Sequence, residues 1–423
     1  MSIIRKTANM NTLRWLLLFI CVTLSAYGQS TNETSFDVDK ATRAYLDRIP
    51  PDKKAQSDAY FEGGYWLQLW GFLYGTGVTV LLLQGRLSAR MRDLAERCTR
   101  FKAIQTALYA VQYFVLTAVL TFPLTLYSDY FREHKYGLSN QDLAAWLGEW
   151  GKDLMVGVIG GAILLVVLFA IVRRLPRTWH LWGAVVTLFF MIILVLIGPV
   201  FIAPLFNKYN VLADPKVVEP ILRLARANGI PADKVYEMDA SKQSKRVSAN
   251  VSGFLGTMRI TLNDNLINRS SLPEIEAVMA HEMGHYVMNH IFKDILFFGI
   301  VIVVGFAFLR WSLDRLLAAF GARWGISGIG DVAVTPLALF VFTAYLFVLT
   351  PFTNSFTRMQ EMEADMFGLN AARQPDGFAE AALKLGEYRK TEPGPIEEWV
   401  FFDHPSGATR IHCAMRWKAA NLP

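Results

Sequence analysis

The chain has 423 residues, is 53% hydrophobic and only 18% charged, and its mean hydropathy is positive. Soluble domains carry about 25% charged residues, so a soluble globular protein of this length would usually carry more charge. The formal net charge of +6 is explained by basic residues flanking apolar stretches and calls for no nucleic-acid partner, and the three cysteines show neither a disulfide framework nor metal-ligand spacing.

In chain order, Arg5, Lys6 and Arg14 precede the apolar run 15–24 and the small residues Ala26 and Gly28. That order is expected of a signal peptide, residues 1–28, cleaved after Gly28; an uncleaved anchor helix is the alternative. Residues 29–206 then hold four stretches without a single charged side chain: 65–83, 103–127, 154–172 and 181–206. Each is near or above the roughly 18–20 residues that cross a bilayer as a helix. Residues 207–294 form a polar block. Within it a helix is expected over 214–228, stopped by Gly229, and strands over 235–238, 244–251 and 257–262, with Gly253 and Gly256 at a turn. A further helix over 272–289 has Ser271 to cap it, Pro273 in its first turn and Glu274 to complete a capping box. Residues 295–352 hold two more spans, 295–309, which needs its flanks to reach across, and 332–352. Residues 353–423 read as two helices, 358–372 and 377–389, a break at Pro393-Gly394-Pro395, and a C-terminal segment.

Basic residues sort the connections by side. Arg86, Arg90, Arg92, Arg97, Arg100 and Lys102 follow the first span, Arg173, Arg174 and Arg177 the third, and Arg310, Arg315 and Arg323 the fifth. The connection 128–153 is instead rich in Asp and Glu. The positive-inside rule places the basic connections in the cytoplasm and the two polar blocks on the opposite face, which in a bacterium is the periplasmic side of the inner membrane.

The chemistry concentrates at His281-Glu282-Met283-Gly284-His285. On a helix, residues four apart share a face, so both imidazoles reach one metal ion, and Glu282 sits where it can take a proton from water. Such a site needs a third protein ligand. The candidates are in Glu361-Met362-Glu363-Ala364-Asp365. Glu361 and Asp365 share a helical face and Glu363 points away, which reads Glu361 as the ligand, Asp365 as the group that orients a ligand histidine, and Glu363 as part of a solvated face. An exchange of Glu361 and Glu363 is the alternative. His290, five positions past His285, falls off the metal face of a continuous helix and is set aside, as are His134, His180 and His412. His404 precedes Pro405 and is read either as a loop histidine or as a donor to developing negative charge.

Together with Arg132-Glu133-His134-Lys135-Tyr136-Gly137-Leu138-Ser139-Asn140-Gln141, Ala203-Pro204-Leu205-Phe206-Asn207-Lys208 and His404-Pro405-Ser406, these motifs make the chain resemble the CAAX prenyl protease 1 family of membrane zinc metalloendopeptidases, which is related to the membrane heat-shock proteases. The resemblance runs from about Phe36 onward. It implies one Zn2+ per chain held by His281, His285 and Glu361, transition-state stabilisation by His404 with support from Arg410, and a strand beside Asn250 that holds extended peptide. The local sequence there, Asn250-Val251-Ser252-Gly253, departs from the aromatic-rich version of the prenyl proteases.

The expected fold class is mostly α: a multi-spanning helical membrane protein with a zincin-like catalytic domain that carries a small β-sheet. The expected activity is hydrolysis of peptide bonds in peptide or protein substrates, lipidated or membrane-embedded, by removal of a C-terminal tripeptide or in membrane protein quality control. A scaffold or a transporter with a structural metal is the competing class. A structural site has no use for Glu282, and the charge-free spans lack the ionisable groups that mark ion paths.

Overall fold

The computed structural model describes residues 36–252 and 258–422; the expected leader and the turn at Gly253 and Gly256 lie outside the described residues. The charge-free stretches fold into long helices. A short helix α1 (Val38–Leu46) leads into α2 (Pro51–Gln84), the amphipathic α3 (Leu87–Cys98), α4 (Lys102–Lys135), α5 (Leu143–Arg174) and α6 (Trp179–Leu205). Helices α2, α4, α5 and α6 are long and apolar enough to cross a membrane.

The polar block opens with strand β1 (Tyr209–Val211), which has no counterpart in the sequence reading, and helix α7 (Pro215–Ala227). Strands β2 (Val235–Met238), β3 (Ala249–Ser252) and β4 (Arg259–Asn263) complete a sheet ordered β1-β2-β4-β3. β2 and β4 run parallel and the two outer strands antiparallel to their neighbours. The expected strand over 244–251 starts late: before Ala249 the chain only bridges Ser244 to Ser139. A short helix α8 (Asp264–Arg269) leads to α9 (Leu272–Val287), which carries the paired histidines. One face of α9 packs on the sheet. Ile260 and Leu262 from β4 meet Ile275, Met279 and Met283 from α9 and Ile221 from α7. Each is almost wholly buried, and burial of such a side chain stabilises by about 1.5–3 kcal/mol.

Two further long helices, α10 (His290–Trp324) and α11 (Thr335–Ala372), complete six candidate spans among the described residues. Both differ from expectation in extent. The short run 295–309 is the middle of a 35-residue helix, because Arg310, Arg315 and Arg323 continue it to a left-handed cap at Gly325. The separate stretches 332–352 and 358–372 are one helix of 38 residues that absorbs Pro351 without breaking. Helices α12 (Pro375–Leu385), α13 (Pro395–Phe401) and α14 (Gly407–Asn421) follow.

Lipid-facing helices gain little from the hydrophobic effect and associate through close packing, which favours small residues at contacts. A Cβ on Gly183 would lie 2.6 Å from the Phe306 ring, one on Gly305 2.6 Å from Phe342, and one on Gly161 2.5 Å from Phe114. Glycines thus receive aromatic side chains across the α4/α5, α6/α10 and α10/α11 contacts.

The basic connections meet at one end of this bundle. Arg86 donates to the Arg323 carbonyl (2.8 Å), Arg92 to the Gly325 carbonyl (2.9 Å), Arg173 to the Gly330 carbonyl (3.1 Å) and Arg310 to the Arg177 carbonyl (2.6 Å). Arg92 also pairs with the buried carboxylate of Asp331. The sorting of basic loops read from the sequence is therefore a spatial fact: they share one end.

Candidate metal centre

Helix α9 begins where the chain dictates. The Glu274 carboxylate accepts from the Ser271 backbone N–H (2.6 Å), closing the capping box, and Lys384 from α12 pairs with the same side chain (2.6 Å). The helix ends at Val287, two residues earlier than expected, because Asn289 takes a left-handed conformation (φ 56°).

Helix α11 crosses α9 at close range. A Cβ on Gly284 would sit 3.1 Å from the Ala364 Cα, and one on Gly368 3.0 Å from the His281 backbone nitrogen. Small residues at this crossing let Glu361 reach the histidines. The Nε2 atoms of His281 and His285 are 3.2 Å apart, and the Glu361 carboxylate lies 3.3 Å from the first and 3.5 Å from the second. One donor atom from each residue falls within 4.8 Å of the others. Glu361 Oε2 is buried and has no hydrogen-bond partner. A carboxylate whose two oxygens each approach one of two converging imidazole nitrogens, with one oxygen buried and unpartnered, is a donor set that could hold a metal ion.

Around this triad each expected residue has a definite place. Asp365, one turn on from Glu361, lies 2.8 Å from His281 Nδ1. Arg410, buried on α14, holds Asp365 through both guanidinium arms, Nε at 3.0 Å. His404 projects from the loop between α13 and α14, with Nε2 3.4 Å from Glu361 and Nδ1 2.7 Å from Asp403. That loop is fixed at both ends. Arg358 from α11 donates to the Glu398 and Phe402 carbonyls, and Glu398 accepts from the Ser406 backbone N–H. Glu282 lines a cavity of about 250 Å³ together with Ser248, Ala249, Tyr388, His404 and Arg410. Asn250 sits one residue past this wall, exposed, on β3, whose outer edge pairs with no strand among the described residues.

The buried setting splits the proton affinities. Burial opposes a charge on His281, but Asp365 and Glu361 outweigh it and raise its pKa to about 9. Burial, aided by neighbouring His281, lowers His285 to about 4. Burial raises Glu282 to about 7, in the range suited to proton transfer near neutral pH.

Two sequence-based expectations need correction. Glu363 does not lie on a purely solvated face; it pairs with Lys293 and lies 3.0 Å from His290 Nε2. His290 does not point away from the centre; its Nδ1 lies 2.8 Å from His285 Nδ1. A helix running through Asn289 would rotate His290 off the metal face, and the left-handed Asn289 ends that helix. Asp403, the partner of His404, was also missed, although its place directly before the histidine is a readable signal. His134 lies 2.7 Å from the Tyr130 carbonyl and 2.8 Å from the Gln141 carbonyl, against the Tyr130 ring.

Residues 212–418 match peptidase family M48, and residues 38–208 match the family described as CAAX prenyl protease N-terminal, five membrane helices. A Bacillus subtilis protein named uncharacterized metalloprotease YhfN is 30% identical over 346 residues, 81% of this chain and 80% of that one. CAAX prenyl protease 1 of Saccharomyces cerevisiae is 37% identical over 184 residues, covering 43% of this chain and 40% of its own. The human CAAX prenyl protease 1 homolog is 26% identical over 406 residues, 82% of this chain and 83% of its own. In fold, the crystal structure of S. mikatae Ste24p superposes with a TM-score of 0.74 at 22% identity, covering 89% of this chain and 94% of that chain.

Proposed function

The chain is a multi-pass membrane metalloprotease of the CAAX prenyl protease 1 family, within the M48 peptidases, and from that premise we propose that it is a zinc endopeptidase of the gluzincin type. The observation that carries this reading is the convergence of His281, His285 and Glu361 within 4.8 Å beside the half-buried Glu282, which lines the adjoining cavity. A zinc ion held by those three side chains would polarise the scissile carbonyl and acidify water.

The chain's own groups do the rest. Glu282 takes a proton from the attacking water and returns it to the leaving amine. His404, held by Asp403, donates to the oxygen that becomes negative in the transition state. Asp365, clamped by Arg410, accepts from His281 Nδ1–H and keeps Nε2 free for the ion. The open edge of β3, with Asn250 on it, pairs with extended substrate backbone. The catalytic part is built from residues 207–294 and 353–423, which flank the two spans in 295–352, and the N-terminal spans lie in 29–206. A general base at a buried ligand set argues against a purely structural metal site.

The substrate is a polypeptide held at the membrane by a lipid or an apolar segment. Removal of a C-terminal tripeptide from a prenylated chain is the leading case; its support is the set of relatives named CAAX prenyl protease 1. The gathering of basic connections at the far end supports a centre on the extracytoplasmic face, in a bacterium the periplasmic side.

Glu282→Gln tests the assignment. The purified variant should retain one zinc per chain while cleavage of a quenched farnesylated peptide falls by at least ~10²-fold. Wild-type cleavage by the variant would refute the general-base role. Loss of zinc together with activity would place Glu282 among the ligands.

A further inference from the structure

We propose that His290 is a positioning residue for the metal centre, which accepts the Nδ1–H of His285 and hands its own proton to Glu363 in a histidine–histidine–carboxylate chain. The inference rests on the metal reading above and extends it to the ligand whose far side that reading leaves unexplained. An imidazole that offers Nε2 to a cation carries its proton on Nδ1, and that proton needs an acceptor if the ring is to hold its angle. For His281 the acceptor is Asp365, at 2.8 Å. For His285 the atom in reach is His290 Nδ1, also at 2.8 Å.

The directions are then fixed by elimination. His290 Nδ1 accepts, so its proton is on Nε2, which lies 3.0 Å from Glu363 Oε2. Lys293 donates to the same carboxylate oxygen. Each donor in the chain has an acceptor, and no two protons face each other. His290 is only 2% exposed, so water does not compete for its Nδ1. The rings of His285 and His290 meet at 76° with centroids 4.9 Å apart, edge to face rather than stacked. The geometry depends on the break at Asn289, which turns the first residue of α10 back toward α9. Glu363 closes the chain from α11, two residues from Glu361, and Gln360 beside it donates to Asp294 of α10 (2.9 Å). The start of one membrane helix is therefore bolted to the ligand-bearing stretch of the next.

The test compares His290→Ala with His290→Asn in the full-length protein in detergent, and the readout is zinc affinity by competition with a chelator, alongside kcat and KM. Loss of such an outer partner weakens metal binding by roughly 10–100-fold. His290→Ala should show that weakening, with KM little changed and kcat regained at saturating zinc. His290→Asn offers a side-chain oxygen near the place of Nδ1 and should stay within about threefold of wild type. Unchanged zinc affinity in His290→Ala overturns the proposal, and so does an Asn variant as impaired as the Ala variant, which would mean packing alone. A wild-type protein that binds no zinc under these conditions overturns the metal reading itself, a result separable from the other two.

Discussion

The approach of α11 to α9 is set by glycine, and Gly368→Ala measures what that approach is worth. A Cβ at Gly368 would lie 3.0 Å from the His281 nitrogen, 3.1 Å from its Cα and 3.4 Å from the Ala280 carbonyl carbon. These are backbone atoms in the middle of a helix and cannot swing aside. Ordinary carbon contacts begin near 3.5 Å, so the two helices must part by a few tenths of an ångström, roughly 0.5 Å at the closest contact. Overpacking of this kind costs about 1–3 kcal/mol, against which alanine's better helix propensity returns about 0.5–1 kcal/mol. A net loss of about 0–2.5 kcal/mol, centred near 1 kcal/mol, is expected in stability. The effect on chemistry is larger. Glu361 rides on α11 and His281 on α9; a displacement near 1 Å at reacting groups costs up to ~10²-fold in rate, so one of about half that should cost roughly tenfold. Thermal unfolding in detergent and kcat/KM on a quenched peptide read the two quantities. Gly148→Ala is the control, because a Cβ there meets nothing within 4 Å, and it should be neutral or slightly stabilising. If Gly368→Ala keeps kcat/KM within twofold of wild type and melts with the control, the spacing of the ligand helices is not set at this crossing.

Three further outcomes are expected. Arg410→Lys keeps the charge but loses the two-armed grip on Asp365, so zinc affinity and kcat/KM should fall by roughly 10–100-fold, with Arg410→Met worse. Glu274→Gln weakens the α9 capping box and the Lys384 pair, costing about 1 kcal/mol at neutral pH. Burial tends to raise the Glu274 pKa, but Lys384 and the Ser271 donors outweigh it and hold it below 4.5. The wild-type advantage is therefore complete above pH 4.5 and fades as the pH falls below it, which paired melts at pH 7 and pH 4 would read; an unchanged difference would disprove the coupling. A C-terminal alkaline phosphatase fusion should be active in a bacterial host and a fluorescent-protein fusion dark, since the basic connections share the opposite end; the reverse pattern overturns the orientation.

Local pattern carried much of this architecture. The charge-free runs announced the spans, Ser271 and Glu274 announced the start of α9, and helical phase separated Glu361 and Asp365 from Glu363. What escaped depends on how the chain bends or on residues far apart. One backbone dihedral at Asn289 moved His290 from irrelevance to contact with His285. The fusion of the last span with the helix carrying Glu361 was hidden by Pro351 and by the change from apolar to charged composition, both of which a long helix tolerates when its neighbours support it. The network in which Tyr60 and Arg246 both bind Glu133 joins α2, α4 and the approach to β3. No periodicity could foretell it, because it is written in residues up to 186 positions apart.

The unbroken course of α11 also sets a height. Glu361 stands roughly 26 residues beyond the first residue of that helix, about 39 Å along its axis. A hydrocarbon slab is about 30 Å thick, so α11 is long enough to carry the Glu361 carboxylate, the proposed metal ligand, beyond the far edge of such a slab. For the tethered polypeptide proposed above, cleavage is then expected at a fixed altitude above the lipid tails, where the length of the substrate's own leash lets it reach that level.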